Sequence, residues 1–189
     1  DPENGGKLDK LPGKGYTQSV MRDRQGVTWT SSLRGLQQSN PNHNKFNIYR
    51  HFGTHIGDIV EDLNHELWIA DKDQEIGTTI FRLNQSLGRV YNYPSSLPDR
   101  RQWVWSLFCN KKGHVWFASQ WNLEKYNPES RTFQSVGIDR SSTIEPIKTF
   151  MDSNGVIWAG GWDGLAKFDA VTGSTHRLPA FPSSTVYSF

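Results

Sequence analysis

The sequence has few of the residues from which disulfide-bonded, zinc-binding or membrane-spanning proteins are built. Its one cysteine, Cys109, excludes an intrachain disulfide, and structural zinc sites usually need more thiolates. No apolar run approaches the roughly 18 residues of a membrane-spanning helix. Residues 1–6 have neither a basic nor an apolar region, so no signal peptide is expected within this chain.

An excess of one charge is also missing. The 21 basic and 19 acidic residues are mixed along the chain, and the nearest approach to a basic cluster is the pair Arg100 and Arg101. Nucleic-acid-binding domains usually carry a basic stripe or patch. Together with the single cysteine, this balance leads us to expect no nucleic-acid partner, no metal, no cofactor and no membrane contact by this segment itself.

Aromatic residues and turn-forming residues are abundant. Aromatics make up 13% of the 189 residues and include eight Trp, although the mean hydropathy is only −0.66. Disordered chains are poor in aromatics, so the low hydropathy does not indicate disorder. The 17 Gly and 9 Pro suit many short strands joined by turns and argue against long helices.

A repeat runs through the whole chain. Four copies carry an apolar residue or Thr followed by Trp, and the four tryptophans lie 39, 48 and 42 residues apart: Trp29, Trp68, Trp116 and Trp158. In three copies a Leu follows seven residues after the Trp. The second copy reaches the counterpart, Ile80, only after twelve residues, so it carries an insertion of about five residues between Asp71 and Thr78.

Each copy divides into four segments of strand character. An Asp/Asn-rich turn, such as Asp152 to Gly155, follows the first segment, and such residues tolerate the positive φ of tight hairpins. Four strands in roughly 40 to 48 residues is the period of a β-propeller blade. The sequence therefore predicts an all-β fold, a single β-propeller segment over 1–189. Its four-stranded antiparallel blades fall at about 16–50, 56–93, 103–136 and 146–178.

The copies resemble the two-component regulator propeller repeat. That pattern runs from Asp-x-x-Gly through apolar-Trp and Gly-Leu to an aromatic residue and Asp or Asn. The fourth copy, from Asp152 to Asp169, matches it best, and the third, from Asn110 to Pro128, is close. The second departs most, because His65 stands near the place of the turn glycine and the insertion follows.

The resemblance implies a sensor. Repeats of this family are typically arrayed in the periplasmic or extracellular part of an inner-membrane receptor with a histidine kinase or other signalling output, and many such receptors respond to carbohydrate fragments. The resemblance thus implies a non-enzymatic, ligand-sensing segment whose kinase lies elsewhere, with an oligosaccharide as its partner. Two alternatives stay open, because propellers host unrelated functions: a propeller enzyme (lyase or glycoside hydrolase) and a protein-interaction scaffold.

The array is expected to be part of a larger ring. Residues 184–189 match the opening strand of a blade, and residues 8–12 precede the first strand as 178–179 precede that run. We expect both segments to belong to flanking blades of a seven- or eight-bladed propeller. End blades without neighbours would expose apolar faces, so the remaining blades of the same receptor, or a second copy in a homodimer, are the expected partners.

Blade topology predicts where a ligand binds. Loops between second and third strands share one face of a propeller with the connections between blades, and function tends to lie on such loops. Aromatic planes beside charged groups suit sugars. The candidate ligand-binding residues on this face are Arg34, Asp73, Arg100, Arg101, Trp103, Trp121, Trp162 and Asp163.

Structural explanations exist for several of these residues. Trp121 and Trp162 occupy equivalent positions in two blades, where packing between blades would also use them. Trp103 and Trp105 are two residues apart, so they lie on the same side of a strand and Trp103 would suit a core position. The spacing of His51 and His55 would suit a helical metal site, but two glycines and a following strand argue against a helix. No Gly-x-Ser-x-Gly occurs, and no catalytic residues are predicted.

Overall fold

Four antiparallel sheets form the fold. The computed structural model describes residues 17–32, 35–40, 45–49, 56–73, 77–85, 89–94, 104–119, 123–136, 146–162, 164–172 and 174–178. These residues form four sheets of four strands each, with no helix among them. In every sheet the spatial order of the strands is their chain order, so each sheet is a meander of hairpins. The prediction of an all-β protein made of four-stranded propeller blades is confirmed.

The blades are numbered along the chain. Blade 1 contains β1 (Thr17–Arg22), β2 (Thr28–Ser32), β3 (Gly35–Asn40) and β4 (Lys45–Tyr49). Blade 2 contains β5 (Ile56–Glu61), β6 (Glu66–Asp73), β7 (Gly77–Asn84) and β8 (Arg89–Pro94). Blade 3 contains β9 (Val104–Cys109), β10 (Val115–Ser119), β11 (Leu123–Asn127) and β12 (Thr132–Ser135). Blade 4 contains β13 (Pro146–Met151), β14 (Ile157–Gly161), β15 (Gly164–Phe168) and β16 (Thr175–Arg177).

The blades are arranged in chain order around their first strands. Strand β1 contacts β5, β5 contacts β9, and β9 contacts β13. The first strand of each blade is therefore the inner strand, as in a propeller. Segments 8–12 and 184–189, predicted to belong to flanking blades, lie outside the described residues.

The repeated tryptophan is buried between consecutive blades. Trp29 and Trp68 are each 1% exposed and Trp116 is 4% exposed. Because side chains alternate along a strand, the tryptophan face of one blade meets the opposite face of the next. Three apolar clusters result: Trp29 and Leu36 with Ile59, Leu67 and Ile69; Trp68 and Ile80 with Leu107, Val115 and Phe117; and Trp116 and Leu123 with Ile157 and Phe168.

Aromatic rings add to the packing between blades 2 and 3. The Trp68 ring centroid lies 5.5 Å from that of Tyr93, 4.6 Å from that of Tyr126 and 6.0 Å from that of Phe133. Such stacked, tilted and edge-on pairs add to the free energy gained by burial. Burial, followed by a hydrogen bond with Tyr93, raises the pKa of Tyr126 to about 12. The phenol therefore stays protonated at physiological pH and acts as a packing group.

The insertion in blade 2 lengthens a hairpin. Strands β6 and β7 are eight residues long, against five and six for β2 and β3 in blade 1. The pairing continues to the end of the hairpin, where Lys72 pairs with Thr78 and Asp73 with Gly77. The extra residues therefore continue the ladder, and blade 2 projects further than blade 1 at this end.

Candidate functional site

Most of the predicted ligand-binding residues lie outside the described part of the chain. This applies to Arg34, Arg100, Arg101, Trp103, Trp121 and Asp163. Of the remaining two, Asp73 ends β6, where its backbone is described, and Trp162 lies in the turn between β14 and β15. Both positions are at the end of a blade where the second strand turns into the third. The structure therefore brings these two residues to the predicted face.

Trp162 is an exposed aromatic residue at that face. It is 46% exposed, whereas Gly161 before it and Gly164 after it are buried. Gly164 has φ +122°, a conformation that favours glycine. The turn thus fixes its own glycines inside the blade and leaves the indole in contact with solvent. An indole in this position offers a flat apolar surface to a ligand.

The opposite end of each blade carries a hydrogen-bonded turn. In blade 2, Asp62 Oδ1 accepts from Asn64 N at 2.8 Å and from Glu66 N at 3.1 Å. Its second oxygen, Oδ2, accepts from Trp68 Nε1 at 2.8 Å. A carboxylate that accepts hydrogen bonds from several N–H groups pairs donors that would otherwise lack a partner in a tight turn. The repeated Asp therefore shapes the turn and also holds the repeated Trp.

Blades 1 and 4 repeat this arrangement. Trp29 Nε1 donates to Asp23 Oδ2 at 2.8 Å, and Trp158 Nε1 donates to Asp152 Oδ2 at 2.9 Å. The bond to Trp158, with backbone N–H groups, lowers the pKa of Asp152 below its usual value. We will call this unit of turn carboxylate and indole the Asp–Trp clamp.

Blade 3 has Asn110 in place of the aspartate. Its Oδ1 accepts from Lys112 N at 3.0 Å and from His114 N at 2.9 Å, as the aspartates do. Its amide Nδ2 is a donor and cannot accept from an indole. Among the described residues, the buried Nε1 of Trp116 has no hydrogen-bond partner. Blade 3 therefore keeps the turn and lacks the clamp.

A buried carboxylate connects the inner strands. Asp58 on β5 is 2% exposed, and its Oδ1 accepts from Ser19 Oγ at 2.9 Å. Its Oδ2 accepts from Leu107 N at 2.9 Å and from Lys148 Nζ at 2.8 Å. These partners lie on β1, β9 and β13, so one side chain joins all four blades. Because its hydrogen bonds and charge are committed to these partners, Asp58 acts as a structural link.

Sequence reasoning missed the role of Asp58. A carboxylate within the apolar segment Ile56–Val60 signals a buried charge, and a buried charge needs a partner. The partner Lys148 is 90 residues further on in the chain. Only the arrangement of blades brings the two together, which is why the sequence could not identify the pair.

A cleft lies between blades 3 and 4 at the end of the clamp turns. Its volume is about 810 Å³, and its walls include Asn110, Trp116, His114 and Met151. Cys109 also contributes, and burial, followed by the charge of Asp62, raises the pKa of its thiol. A raised thiol pKa keeps the sulfur neutral and unreactive. Among the described residues there is no group of three or more His, Cys, Asp or Glu that could hold a metal ion.

Comparison of the sequence with known families and curated proteins identifies no relative of this chain. No family model matches the sequence, and no curated protein matches it either. These two comparisons therefore give the resemblance to the two-component regulator repeat no support beyond the fold itself. Within the described residues, no helix is long and apolar enough to cross a membrane.

Solved propellers of several functions are similar to this chain. One is the extracellular domain assigned to the hybrid two-component system BT4673 of B. thetaiotaomicron, with TM-score 0.71, 16% identity, and coverage of 90% of this chain and 24% of that one. A second is the virginiamycin B lyase of Staphylococcus aureus, with TM-score 0.73, 13% identity, and coverage of 91% and 59%. A third is the gluconolactonase XC5397 of Xanthomonas campestris, with TM-score 0.67, 13% identity, and coverage of 89% and 64%. The chain thus spans about a quarter of the receptor domain and under two thirds of each enzyme.

Proposed function

We propose that this chain is a ligand-sensing segment of the extracytoplasmic propeller of a two-component signalling receptor, and that it recognises a carbohydrate fragment. The observation that carries the proposal is the exposed indole of Trp162 on a turn between second and third strands. The similarity in fold to the extracellular domain of a hybrid two-component system supports the part of the proposal that concerns a receptor. Any kinase activity would reside in another part of the receptor.

The physical basis is the match between an exposed indole and a sugar ring. Trp162 is 46% exposed, so a large part of its apolar surface stays in water without a ligand. The axial C–H face of a pyranose can cover such a surface while neighbouring polar groups bind the hydroxyls. Asp73 ends the lengthened β6, at the same end of the molecule as Trp162.

Binding of oligosaccharides tests the proposal. A panel of neutral and acidic oligosaccharides is titrated against the full chain and against Trp162→Ala by calorimetry. Loss of the stacking surface should weaken binding about tenfold, equivalent to about 1.4 kcal/mol. Val171→Ala is the matched control, because Val171 is 95% exposed in the turn between third and fourth strands, at the opposite end of blade 4. Binding that survives unchanged in Trp162→Ala, or that is lost equally in both variants, contradicts the proposal.

A propeller enzyme is the second candidate. A lyase and a lactonase are similar to this chain in fold, and this similarity supports an enzymatic function as the alternative. The two readings predict different products, because a sensor returns its oligosaccharide intact and an enzyme converts it. Mass spectrometry of the panel after incubation with the chain therefore separates them. A protein that pulls down a partner without binding any oligosaccharide would favour an interaction scaffold.

We also propose that the chain is part of a larger ring of seven or eight blades. Trp158 is only half-buried, although its three counterparts are nearly inaccessible. On the other side of the array, Val20 is 63% exposed, whereas its counterparts Ile59 and Leu107 are each 5% exposed. Both surfaces are faces that adjoining blades cover elsewhere. Light scattering should therefore show a dimer or larger assembly of the isolated chain, and a stable monomer would contradict the proposal.

A further inference from the structure

The cleft between blades 3 and 4 is separate from the predicted sugar face. It is lined by the turn that joins β9 to β10 and by the turn that joins β13 to β14. These turns lie at the end of the blades opposite to Trp162. A ligand in this cleft would therefore bind independently of one that stacks on Trp162, and the inference does not rest on the proposed function.

Hydrogen-bond donors without good acceptors face this cleft. Trp116 lines it, is 4% exposed, and has a buried Nε1 without a partner among the described residues. Asn110 also lines the cleft, and its Nδ2 makes only long contacts, of 3.4 Å to His114 Nδ1 and 3.6 Å to Met151 Sδ. Leaving a buried N–H unpaired costs free energy, because its hydrogen bond to water is lost without replacement. An acceptor that reaches the Trp116 N–H would recover that free energy.

The charge around the cleft favours an anion. Lys111, Lys112 and Lys125 all line it, and Lys125 Nζ lies 5.6 Å from the Trp116 ring centroid. Asp152 is the single carboxylate among its described lining residues, and both of its oxygens already accept hydrogen bonds within its own turn. The uncommitted groups are therefore mostly cationic or donors.

We propose that this cleft binds a small ligand bearing a carboxylate. In blades 1, 2 and 4 a carboxylate oxygen of the chain itself lies 2.8–2.9 Å from the repeated indole N–H. In blade 3 the ligand supplies that oxygen to Trp116 Nε1, and its second oxygen faces the ammonium group of Lys125. Because Nε1 is covered in the free protein, the atoms that cover it have to move aside when the ligand enters.

The indole N–H resonance of Trp116 gives a direct test. It is assigned in the ¹H–¹⁵N spectrum of the full chain by its absence in Trp116→Phe. Sodium acetate is then titrated at constant ionic strength against sodium chloride, with acetamide as the neutral analogue and inorganic phosphate as a different oxyanion. We expect acetate to shift the Trp116 indole proton downfield in a saturable manner, while the clamped indoles of Trp29 and Trp68 stay in place.

Two variants distinguish the site from a general effect of charge. Asn110→Asp supplies the missing carboxylate from the chain, so its Trp116 signal should be shifted downfield without acetate and should not titrate. Asn154→Asp adds the same charge at an exposed position of the same cleft without reaching the indole, so the saturable shift should persist. The proposal is overturned if chloride or acetamide reproduces the shift, if phosphate alone produces it, or if Asn110→Asp still titrates.

Discussion

The turns of blades 2 and 3 make the same backbone hydrogen bonds and differ in one side-chain atom. Asp62 has a second carboxylate oxygen where Asn110 has an amide nitrogen. Both side chains use Oδ1 to accept from the backbone two and four residues on. The second oxygen of Asp62 accepts from Trp68, whereas the buried Trp116 Nε1 has no partner among the described residues. The comparison shows that one oxygen is enough to form the turn. The second oxygen of the repeated carboxylate serves the tryptophan alone.

Packing explains why blade 3 keeps its tryptophan in place without the clamp. The Trp116 ring stacks on Phe108 with centroids 6.0 Å apart and nearly parallel planes, 4° from each other. Lys125 covers the same ring, and the residue remains 4% exposed. The position of the indole in blade 3 is therefore set by its neighbours. In the other blades the clamp adds stability to an indole whose position is already determined by packing.

The largest expected effect comes from removing the whole side chain in blade 2. Asp62→Ala loses three hydrogen bonds and leaves Trp68 Nε1 unpaired, which should lower the free energy of unfolding by about 3 kcal/mol, at about 1 kcal/mol each. Urea unfolding measures the loss. Asp62→Asn, which gives the turn of blade 2 the side chain found in blade 3, should lose only the bond from Trp68, or about 1 kcal/mol. The comparison fails if Asp62→Asn is as damaging as Asp62→Ala.

A smaller effect is expected where the two turns touch. Gly113 has φ +81°, and a Cβ added there would lie 3.0 Å from Leu63 Cδ1 in the turn of blade 2. Gly155 has nearly the same φ, +84°, with no atom within 4 Å of an added Cβ. Both Ala variants bear the strain of a left-handed residue, about 1 kcal/mol. Gly113→Ala should cost about 1 kcal/mol more because of the overpacking.

The contact with Leu63 can be tested separately. In a Leu63→Ala background the difference between Gly113→Ala and Gly155→Ala should vanish, since the atom that obstructs the new Cβ is gone. Thermal unfolding of the four proteins is sufficient. A difference that persists without the Leu63 side chain would show that the two turns differ in backbone strain instead.

Supplying the missing carboxylate should stabilise blade 3. Asn110→Asp gives Trp116 Nε1 an acceptor in the position that the other three blades use, for a gain of about 1 kcal/mol in the free energy of unfolding. The midpoint of urea unfolding at neutral pH measures it. Asn154→Asp adds the same charge to the next turn but does not supply the acceptor for Trp116 Nε1, so it should show a smaller gain or none.

The clamp also predicts a dependence on pH in blade 4. The hydrogen bond from Trp158, with those from backbone N–H groups, lowers the pKa of Asp152 in the folded protein. A carboxyl with a lowered pKa stabilises the fold above its unfolded pKa, and this stability is lost as the pH falls through the folded pKa. Below about pH 4, wild type should lose stability more steeply than Asp152→Asn. Parallel curves would contradict the clamp.

The parts of the fold that follow from local spacing could be predicted from the sequence. The recurrence of an aspartate, a glycine and a tryptophan, as in Asp152, Gly155 and Trp158, indicated a turn and a buried strand in each blade. It did not indicate that the insertion after Asp71 would lengthen β6 and β7. The number of inserted residues alone does not tell whether they extend two paired strands or form a longer loop. The partnership of Asp58 with Lys148 depended on the blades' arrangement.

The candidate site was predictable in part. The position of Trp162 on a turn between strands followed from the repeat, since each blade turns at the same point. The consequence of Asn110 was not foreseen, because aspartate and asparagine are interchangeable as turn formers. They differ only when a second donor, the indole of Trp116, has to be paired, and that contact is visible only in three dimensions.

A double-mutant cycle tests the central claim that the repeated carboxylate pairs with the repeated indole and that blade 3 lacks this pair. The stability gained by Asn110→Asp is measured in wild type and in Trp116→Phe, which keeps an aromatic ring and removes the N–H. We predict a gain of about 1 kcal/mol with the tryptophan present and none with phenylalanine. An equal gain in both backgrounds would contradict the account, because it would assign the effect to the surrounding lysines.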